Sequence, residues 1–285
     1  MILSFHPCFA ADTQIILADR TLGADDLRLI REAHAIILPQ SCSRQLYQAC
    51  KSYSALLFPN YDMKFEYPGK IGQSLLIRKL GCPQPETMTW PSVEVFRNRI
   101  GQKQVFPHPV PFLIKEDWGH EADGVHLIRD EKALNSALER IILLERSGQQ
   151  GFITQGWIAS EGNVLRAVIL GKKIITYWKR PDQPDGVITT ISRGARIDEL
   201  WRPDLQAKGE VQAQRLSAST GINLAAIDYV FSLSDPDPQP LFLEINYYFG
   251  RRGLGGSLQY YRLLYRAIQE WLSENGFDPN GLDLV

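Results

Sequence analysis

Within "PLFLEIN", Pro240 to Asn246, an apolar run carries Glu244 and Asn246 two positions apart. Side chains alternate across a strand, so Phe242, Glu244 and Asn246 should share one face and Leu243 and Ile245 the other. Upstream, "NLAAIDYVFS" holds Asp228 among apolar neighbours, and the loop "SDPDPQP" separates the two runs. An antiparallel pairing that sets Asp228 opposite Glu244 centres the connection on Pro236, inside that loop. Two facing carboxylates repel and raise each other's pKa, so a cation is expected beside them. Asp, Glu and Asn are hard oxygen donors suited to magnesium, which is commonly held by one or two carboxylates together with substrate phosphates. The same pattern also suits acids on the solvated face of a half-exposed antiparallel sheet, with Asn246 capping a turn.

Basic residues add to this set. Lys115 ends "PFLIK", and Arg166 sits in the middle of "NVLRAVILG". A charge there is costly if buried without a partner. Singly, each fits a snorkelling or salt-bridged side chain. Together with Lys70, Lys179, Arg180 and Arg193 they could clamp a polyphosphate. The turn "GRRGLGG" follows the acid-bearing run, and its Arg251 and Arg252 could hold a substrate carboxylate in a fork. A solvated, glycine-rich turn would look the same. No Ser/His/Asp or Cys/His arrangement is visible, and no glycine-rich loop precedes an HRD-type segment, which disfavours a protein-kinase fold.

The elements that must position these groups follow from periodicity. "MILSF" and "AHAIILPQ" read as short buried strands, "GADDLRLIREA" and "SRQLYQACKSY" as helices. This is a β-α-β-α unit of about 60 residues. "PNYDMKFEYPG" reads as a polar turn. "KIGQSLLIRKLG" reads as an amphipathic helix stopped at Gly81, with Pro83 beyond. "PFLIKED" and "ADGVHLIRD" are predicted strands, and "EKALNSALERIILLERSG" a helix ending at Gly148. "GFITQGWI", "NVLRAVILG", "KKIITYWKR", "NLAAIDYVFS" and "PLFLEIN" are predicted strands, with a tight turn at Gly171-Lys172. "DLQAKGEVQAQRLSASTG" and "LQYYRLLYRAIQEWLSENG" are predicted helices.

Composition excludes several classes. The 285 residues are 44% hydrophobic and 22% charged, with a net charge of -1. That is ordinary for a soluble globular chain and gives no nucleic-acid or membrane footprint. Cys8, Cys42, Cys50 and Cys82 form no CxxC pair, which predicts reduced thiols. The N-terminus lacks a basic region followed by a long apolar run, so no signal peptide is expected and a cytoplasmic location is. A homo-oligomer stays open.

The order of these motifs resembles the ATP-grasp superfamily, and most of all its RimK-type branch of carboxylate–amine ligases, over about residues 65 to 256. "GKIGQSLLIRKLGCPQPET" is similar to the family's "DK…LL…G(I)P.P.T" helix and turn, with Lys70 on the motif lysine. "PFLIKEDWGHEADGV" is similar to "P.V.KP..G..G.GV", with Lys115 on the phosphate-contacting lysine. "FITQGWI" resembles the hinge whose backbone reads adenine. "GNVLRAVILGKKIITYWKR" resembles the strand pair with a phosphate-contacting arginine, here Arg166. "SRGA" resembles the segment that usually reads "..GG". "AAIDYVF" and "LFLEINYYFG" are similar to "aGVDll" and "vlEvN..pG".

The resemblance implies an α/β (α+β) ATP-grasp fold in which two α+β subdomains clamp ATP, behind a small α/β N-terminal domain. The implied domains are 1–64, 65–150 for the central subdomain, and 151–285 for the C-terminal subdomain with the metal site. It implies ATP and Mg2+ or Mn2+ as cofactors and a small-molecule or peptide substrate bearing a carboxylate, with an amine acceptor. Asp228, Glu244 and Asn246 would be the metal ligands. Lys70, Lys115, Gln155, Gly156, Trp157, Ile158 and Lys179 would bind the nucleotide. Arg166 and Arg193 would act in catalysis, and Arg180, Arg251 and Arg252 would face the substrate. The chain departs from the pattern in four places. The phosphate loop reads "GHEADG", with Glu121 and Asp123. Gly156 stands where the hinge usually has glutamate, and Val164 where an acid precedes the strand arginine. "ITT", Ile188 to Thr190, replaces "R.N". These departures keep two other readings open: a non-catalytic nucleotide-binding protein, and a small-molecule kinase on the same fold.

Overall fold

The chain opens with β1 (Ile2–Ser4), β2 (Phe9–Ala10), β3 (Thr13–Gln14), α1 (Ala24–Glu32), β4 (Ala35–Ile37), α2 (Arg44–Tyr53) and β5 (Leu56–Phe58). β3, β1, β4 and β5 form a parallel sheet in that order, the β-α-β-α unit expected from the sequence. This structure is a computed structural model and describes residues 1–53, 56–101, 106–118, 124–182 and 194–285.

The segment expected to be a polar turn contains a short helix instead, α3 (Asp62–Glu66). Its polar letters hide an aromatic anchor. Tyr61 is fully buried against the rings of Tyr47 and Phe65. α4 (Gly69–Lys79) follows and ends as its sequence implies: Gly81 takes φ +65° and the Cys82 amide reaches back to the Ile77 carbonyl.

A second sheet comprises β6 (Thr87–Trp90), β7 (Phe112–Glu116), β8 (Val125–Ile128) and β9 (Phe152–Gly156), antiparallel in the order β6-β9-β7-β8. α5 (Val93–Gly101) and α6 (Glu131–Arg146) cover one face, where Trp90, Phe96, Phe112, Ile114, Leu138 and Phe152 pack together. α6 starts at Asp130, whose side chain accepts from the Ala133 amide. Lys115, Ile153 and Gln155 lie on the opposite face by strand alternation.

The third sheet is antiparallel and built from β10 (Val164–Leu170), β11 (Lys173–Arg180), β12 (Arg196–Asp198), β13 (Leu224–Val230) and β14 (Leu241–Asn246), in the order β12-β11-β10-β13-β14. α7 (Pro203–Thr220) packs Leu205, Ala213 and Leu216 on the face formed by Leu165, Ala167, Ile169, Ala225 and Ile227. α8 (Gly256–Glu274) covers the other face. There Tyr260, Leu264, Ile268 and Leu272 meet Val168, Leu170, Leu224 and Ala226 on one side and Ile2, Ala35, Ile37 and Phe58 on the other. Each such buried side chain stabilises by about 1.5–3 kcal/mol. α8 is therefore shared between the N-terminal parallel sheet and the five-stranded sheet. The closing strand β15 (Asp283–Leu284) pairs with β2 and ties the C-terminal tail to the N-terminal region.

Among the described residues no helix is long and apolar enough to cross a membrane. All four cysteines are free thiols.

Candidate functional site

β13 and β14 pair in the expected register: Asp228 lies opposite Glu244, Ile227 opposite Ile245 and Ala226 opposite Asn246. The register then shifts. Tyr229 pairs with Phe242, leaving Leu243 as an extra residue in a bulge. Phe242 therefore does not share the face of Glu244 and Asn246, as simple alternation implied. It turns into the α7-side core with Tyr229, Ile227 and Ile245, its ring 6.5 Å from that of Tyr229. The bulge lets one strand supply a core phenylalanine and, on the other face, two polar side chains within five residues.

Glu244 and Asn246 project on the face shared with α8, as do Asp228 from β13, Arg166 from β10 and Lys179 from β11. That face is thus divided lengthwise. One end is apolar under α8, and the other is ionic. Asp228 is 2% exposed, and Arg166 holds it bidentately: Nε donates to Oδ1 and Nη2 to Oδ2, both at 2.8 Å. Lys179 Nζ donates to Oδ2 at 2.8 Å, and Asn246 Nδ2 to Oδ2 at 3.3 Å. Asn246 Nδ2 also reaches Glu244 Oε1, at 3.1 Å.

The expected repulsion between the two acids is therefore not what governs Asp228. Burial alone would raise its pKa, but the Arg166 guanidinium and the Lys179 ammonium outweigh burial and hold it well below the usual carboxylate range. Burial pushes Lys179 down, with Asp228 opposing. The sequence showed the acids facing each other. It did not show that Arg166, 62 residues away, stands directly across from Asp228 on the other neighbouring strand.

The second sheet brings its own cations to this point. Lys115 is buried, and its Nζ donates to Gln155 Oε1 at 2.6 Å, while Gln155 Nε2 donates to Thr87 Oγ1 at 3.0 Å. Burial lowers the Lys115 pKa to about 8. Glu244 and Asp228 pull it up, and Lys70 pushes it further down. Lys70, on the first turn of α4, is likewise lowered by burial and raised by Glu244 and Asp117. Gln155, expected at the hinge, thus turns its side chain to Lys115. The Gly156 amide already donates to the Glu86 carbonyl at 2.8 Å.

α4 connects the two sheets, and sequence reasoning missed the residues that do it. Asp117 caps the helix start: its Oδ1 accepts from the Ile71 amide at 2.7 Å and its carbonyl from the Lys70 amide at 3.2 Å. Gly69 is required there, because a side chain at its φ of +68° would overlap the Asp117 carboxylate. One turn on, the Gln73 amide grips the main chain of Ile245, donating to its carbonyl at 2.9 Å and accepting from its amide at 2.8 Å. Lys70 and the Glu244–Asn246 strand are therefore indexed to each other by one helix. A side-chain amide docking on an edge strand leaves no periodic trace in sequence.

Other expected residues are placed differently. Arg180 lies on the opposite face from Lys179, paired with Asp198 at 2.8 Å and lying 4.2 Å over the Trp201 ring, so it is not brought to the cluster. Arg251 lies beside the rings of Tyr260 and Tyr261, and Arg252 starts a 3₁₀ turn, Arg252–Leu254, that follows β14. Gly253 of that turn packs on Tyr177, the register partner of Arg166, and a Cβ there would fall inside the Tyr177 ring. Trp157 and Ile158 are half-buried after β9. Arg193, the "ITT" segment and residues 119–123 of the acidic loop lie outside the described residues.

Asn246 Nδ2 bridges Asp228 Oδ2 and Glu244 Oε1, so two carboxylates and a carboxamide meet at one point, and their oxygens are of the kind a hard divalent cation takes. Among the described residues no group of three or more His, Cys, Asp or Glu gathers elsewhere or here. The set therefore suits a metal whose remaining ligands come from a bound phosphate rather than a metal caged by protein alone.

No family model matches the sequence. A probable alpha-L-glutamate ligase from Stutzerimonas stutzeri (strain A1501) is 27% identical over 145 residues, 50% of this chain and 44% of that protein. The chain thus spans under half the length of that curated relative. Among solved structures, a RimK domain ATP-grasp protein from Sphaerobacter thermophilus superposes with a TM-score of 0.58 at 15% identity, covering 92% of this chain and 97% of that one. D-alanine–D-alanine ligase from Bacillus anthracis gives a TM-score of 0.61 at 12% identity, covering 93% and 88%. The chain has the ATP-grasp fold, and over half its length its sequence is similar to a probable alpha-L-glutamate ligase.

Proposed function

We propose that the chain is an ATP- and magnesium-dependent ligase that joins a carboxylate to an amine. The observation that carries this reading is the convergence of Lys70, Lys115, Arg166 and Lys179 on Glu244 and Asp228 at the junction of two sheets. All four cations feel Glu244, and Lys70 also feels Asp117, so cations gather around the acids where an anionic nucleotide would be neutralised. Phosphoryl transfer asks mainly for positioning and charge neutralisation, and such a cluster supplies both.

In this reading Asp228, Glu244 and Asn246 would hold the metal, which would supply charge neutralisation to the transferring phosphate. Lys115 and Lys70 approach the phosphates from the second sheet, and Gly156 to Ile158 line the base. A substrate carboxylate oxygen attacks the γ-phosphorus, the bond to ADP breaks, and an acyl phosphate results. An amine nitrogen then attacks the acyl carbon, phosphate departs, and the ammonium proton passes to solvent. Arg166 and Lys179 hold Asp228 in the free protein and would be placed to share charge with a bound phosphate. Arg251 and Arg252 face the acceptor side, whereas Arg180 is left out of the substrate set. A relative named as a probable alpha-L-glutamate ligase supports an amino acid as one of the two substrates.

A non-catalytic nucleotide binder is the second reading, favoured by one observation: Asp228 is already neutralised by two cations. ADP release with ATP, magnesium and amino-acid or short-peptide pairs separates the two. Turnover that needs both an acid and an amine supports the ligase, and nucleotide binding without turnover on any pair supports the binder.

A further inference from the structure

The carboxylate of Asp228 is fully engaged. Its Oδ1 accepts from Arg166 Nε at 2.8 Å. Its Oδ2 accepts from Arg166 Nη2 and Lys179 Nζ, each at 2.8 Å, and from Asn246 Nδ2 at 3.3 Å. An ionised carboxylate offers about four lone-pair positions, and four donors address them here. Both cations are themselves buried, so neither can exchange Asp228 for water at low cost. Val164 stands opposite Lys179 on β10 and offers no acceptor, and Asp228 is the acid with which Lys179 pairs. Asn246 adds to the closure. It faces two carboxylates and its amide nitrogen donates to both, so its oxygen, on the other arm of the planar group, is directed away from them. Hydrogen-bond donors thus hold the lone pairs that a divalent cation would need. Two cations against one carboxylate add like charge at the same point. A phosphate reverses this preference. Its oxygens accept from an arginine fork and from an ammonium, so it offers both buried cations a second anion.

We propose that Arg166 and Lys179 close the acid set to a bare divalent cation, and that a polyphosphate opens it by drawing their donors off Asp228. Divalent cation and nucleotide then bind as a pair, each weakly without the other, and the linkage is reciprocal. Lys179 is the selective element. Arg166 alone keeps both oxygens of Asp228 paired, whereas Lys179 adds the second positive charge. The nucleotide rests on the proposed function, but the closure does not need ligation, and a binder without turnover would show it too. A neutralised Asp228 is then the resting state of a working site as much as of an inert one.

Mn2+ is the probe, because electron paramagnetic resonance reads its binding without any turnover. It is titrated into the full chain in the absence of nucleotide. Affinity for a non-hydrolysable ATP analogue is then measured by calorimetry with and without Mn2+. Wild type should bind the analogue about 10- to 100-fold more tightly with Mn2+ than without it. Lys179→Met should tighten binding of bare Mn2+ by about 10-fold over wild type, because a like charge is gone and Oδ2 loses a donor. Lys179→Gln, which keeps a neutral donor and is the gentler change for folding, should fall between. Adding Asp228→Asn to either variant should remove the gain, which places the cation at this carboxylate. If both Lys179 variants, folded by their melting curves, bind bare Mn2+ no more tightly than wild type, the closure is refuted. A gain that survives Asp228→Asn refutes it as well. Analogue affinity that is indifferent to Mn2+ in wild type refutes the opening by polyphosphate. Absence of analogue binding under every condition overturns that opening together with the nucleotide site of the proposed function, whereas a failure of the Lys179 variants beside normal linked nucleotide binding overturns the closure alone.

Discussion

Replacing Asp228 by Asn tests how the site is held before any ligand arrives. The carboxylate is 2% exposed and receives three charge-assisted hydrogen bonds, two from Arg166 and one from Lys179, cations that are themselves 9% and 6% exposed. Removing one partner from a buried ionic group typically costs about 3–5 kcal/mol, because the remaining charge stays buried and unpaired. Asn keeps the shape and one carbonyl acceptor, so the lower end applies, about 3 kcal/mol. Unfolding midpoints of chains near this size move by about 2–4 °C per kcal/mol, which gives a fall of about 6–12 °C. The measurement is calorimetric unfolding at pH 7 in chelator, without nucleotide. The pH dependence follows from the depressed pKa of Asp228. Its stabilisation is complete above the unfolded carboxylate value of about 3.9 and is lost as pH falls through the lower folded value. The Asn variant should lack that acid-limb component. A midpoint within about 2 °C of wild type, or above it, would refute the ion triad and restore a picture in which the two acids mainly repel.

Gln73→Ala removes both hydrogen bonds to the Ile245 main chain and should lower stability by about 1–3 kcal/mol while weakening magnesium–nucleotide binding; a titration unchanged from wild type would show that α4 does not set the ligand strand. Lys115, with its pKa near 8, is partly neutral at pH 8.5 in the free protein. A bound phosphate favours the charged form, so nucleotide binding at pH 8.5 should take up a proton, read by calorimetry in two buffers of different ionisation enthalpy and abolished in Lys115→Met. In the free protein the same group makes stability rise with pH between about 8 and 10.4, where the unfolded chain binds the extra proton. His6, lowered to about 4, should make stability fall as pH drops from about 6.5 to 4, and His6→Gln should flatten that limb of a pH–stability curve.

The backbone plan was legible because alternation and helix-stop signals agree along most of the chain. "NLAAIDYVFS" and "PLFLEIN" declare both strands, and the loop between them fixes the pairing of Asp228 with Glu244. Alternation failed at Leu243, since a bulge adds a residue without changing the letters around it. The partners of Asp228 were illegible for a different reason: the strand order puts β10 on its other side, and strand order is not written in local pattern. α3 was missed because Tyr61 and Phe65 anchor a segment whose remaining letters read as a turn. The role of Gln73 was invisible because it acts through a contact 172 residues away in sequence.

In the proposed function the ionic cluster supports ligation and does more than bind nucleotide. The most direct measurement is ADP release with ATP and magnesium over pairs of acids and amines, in wild type and in Glu244→Gln, each shown to be folded by its melting curve. The expected result is turnover that requires both an acid and an amine, yields an amide and phosphate, and disappears in Glu244→Gln. A phosphorylated product formed without an amine, or tight nucleotide binding with no turnover on any pair, would contradict it.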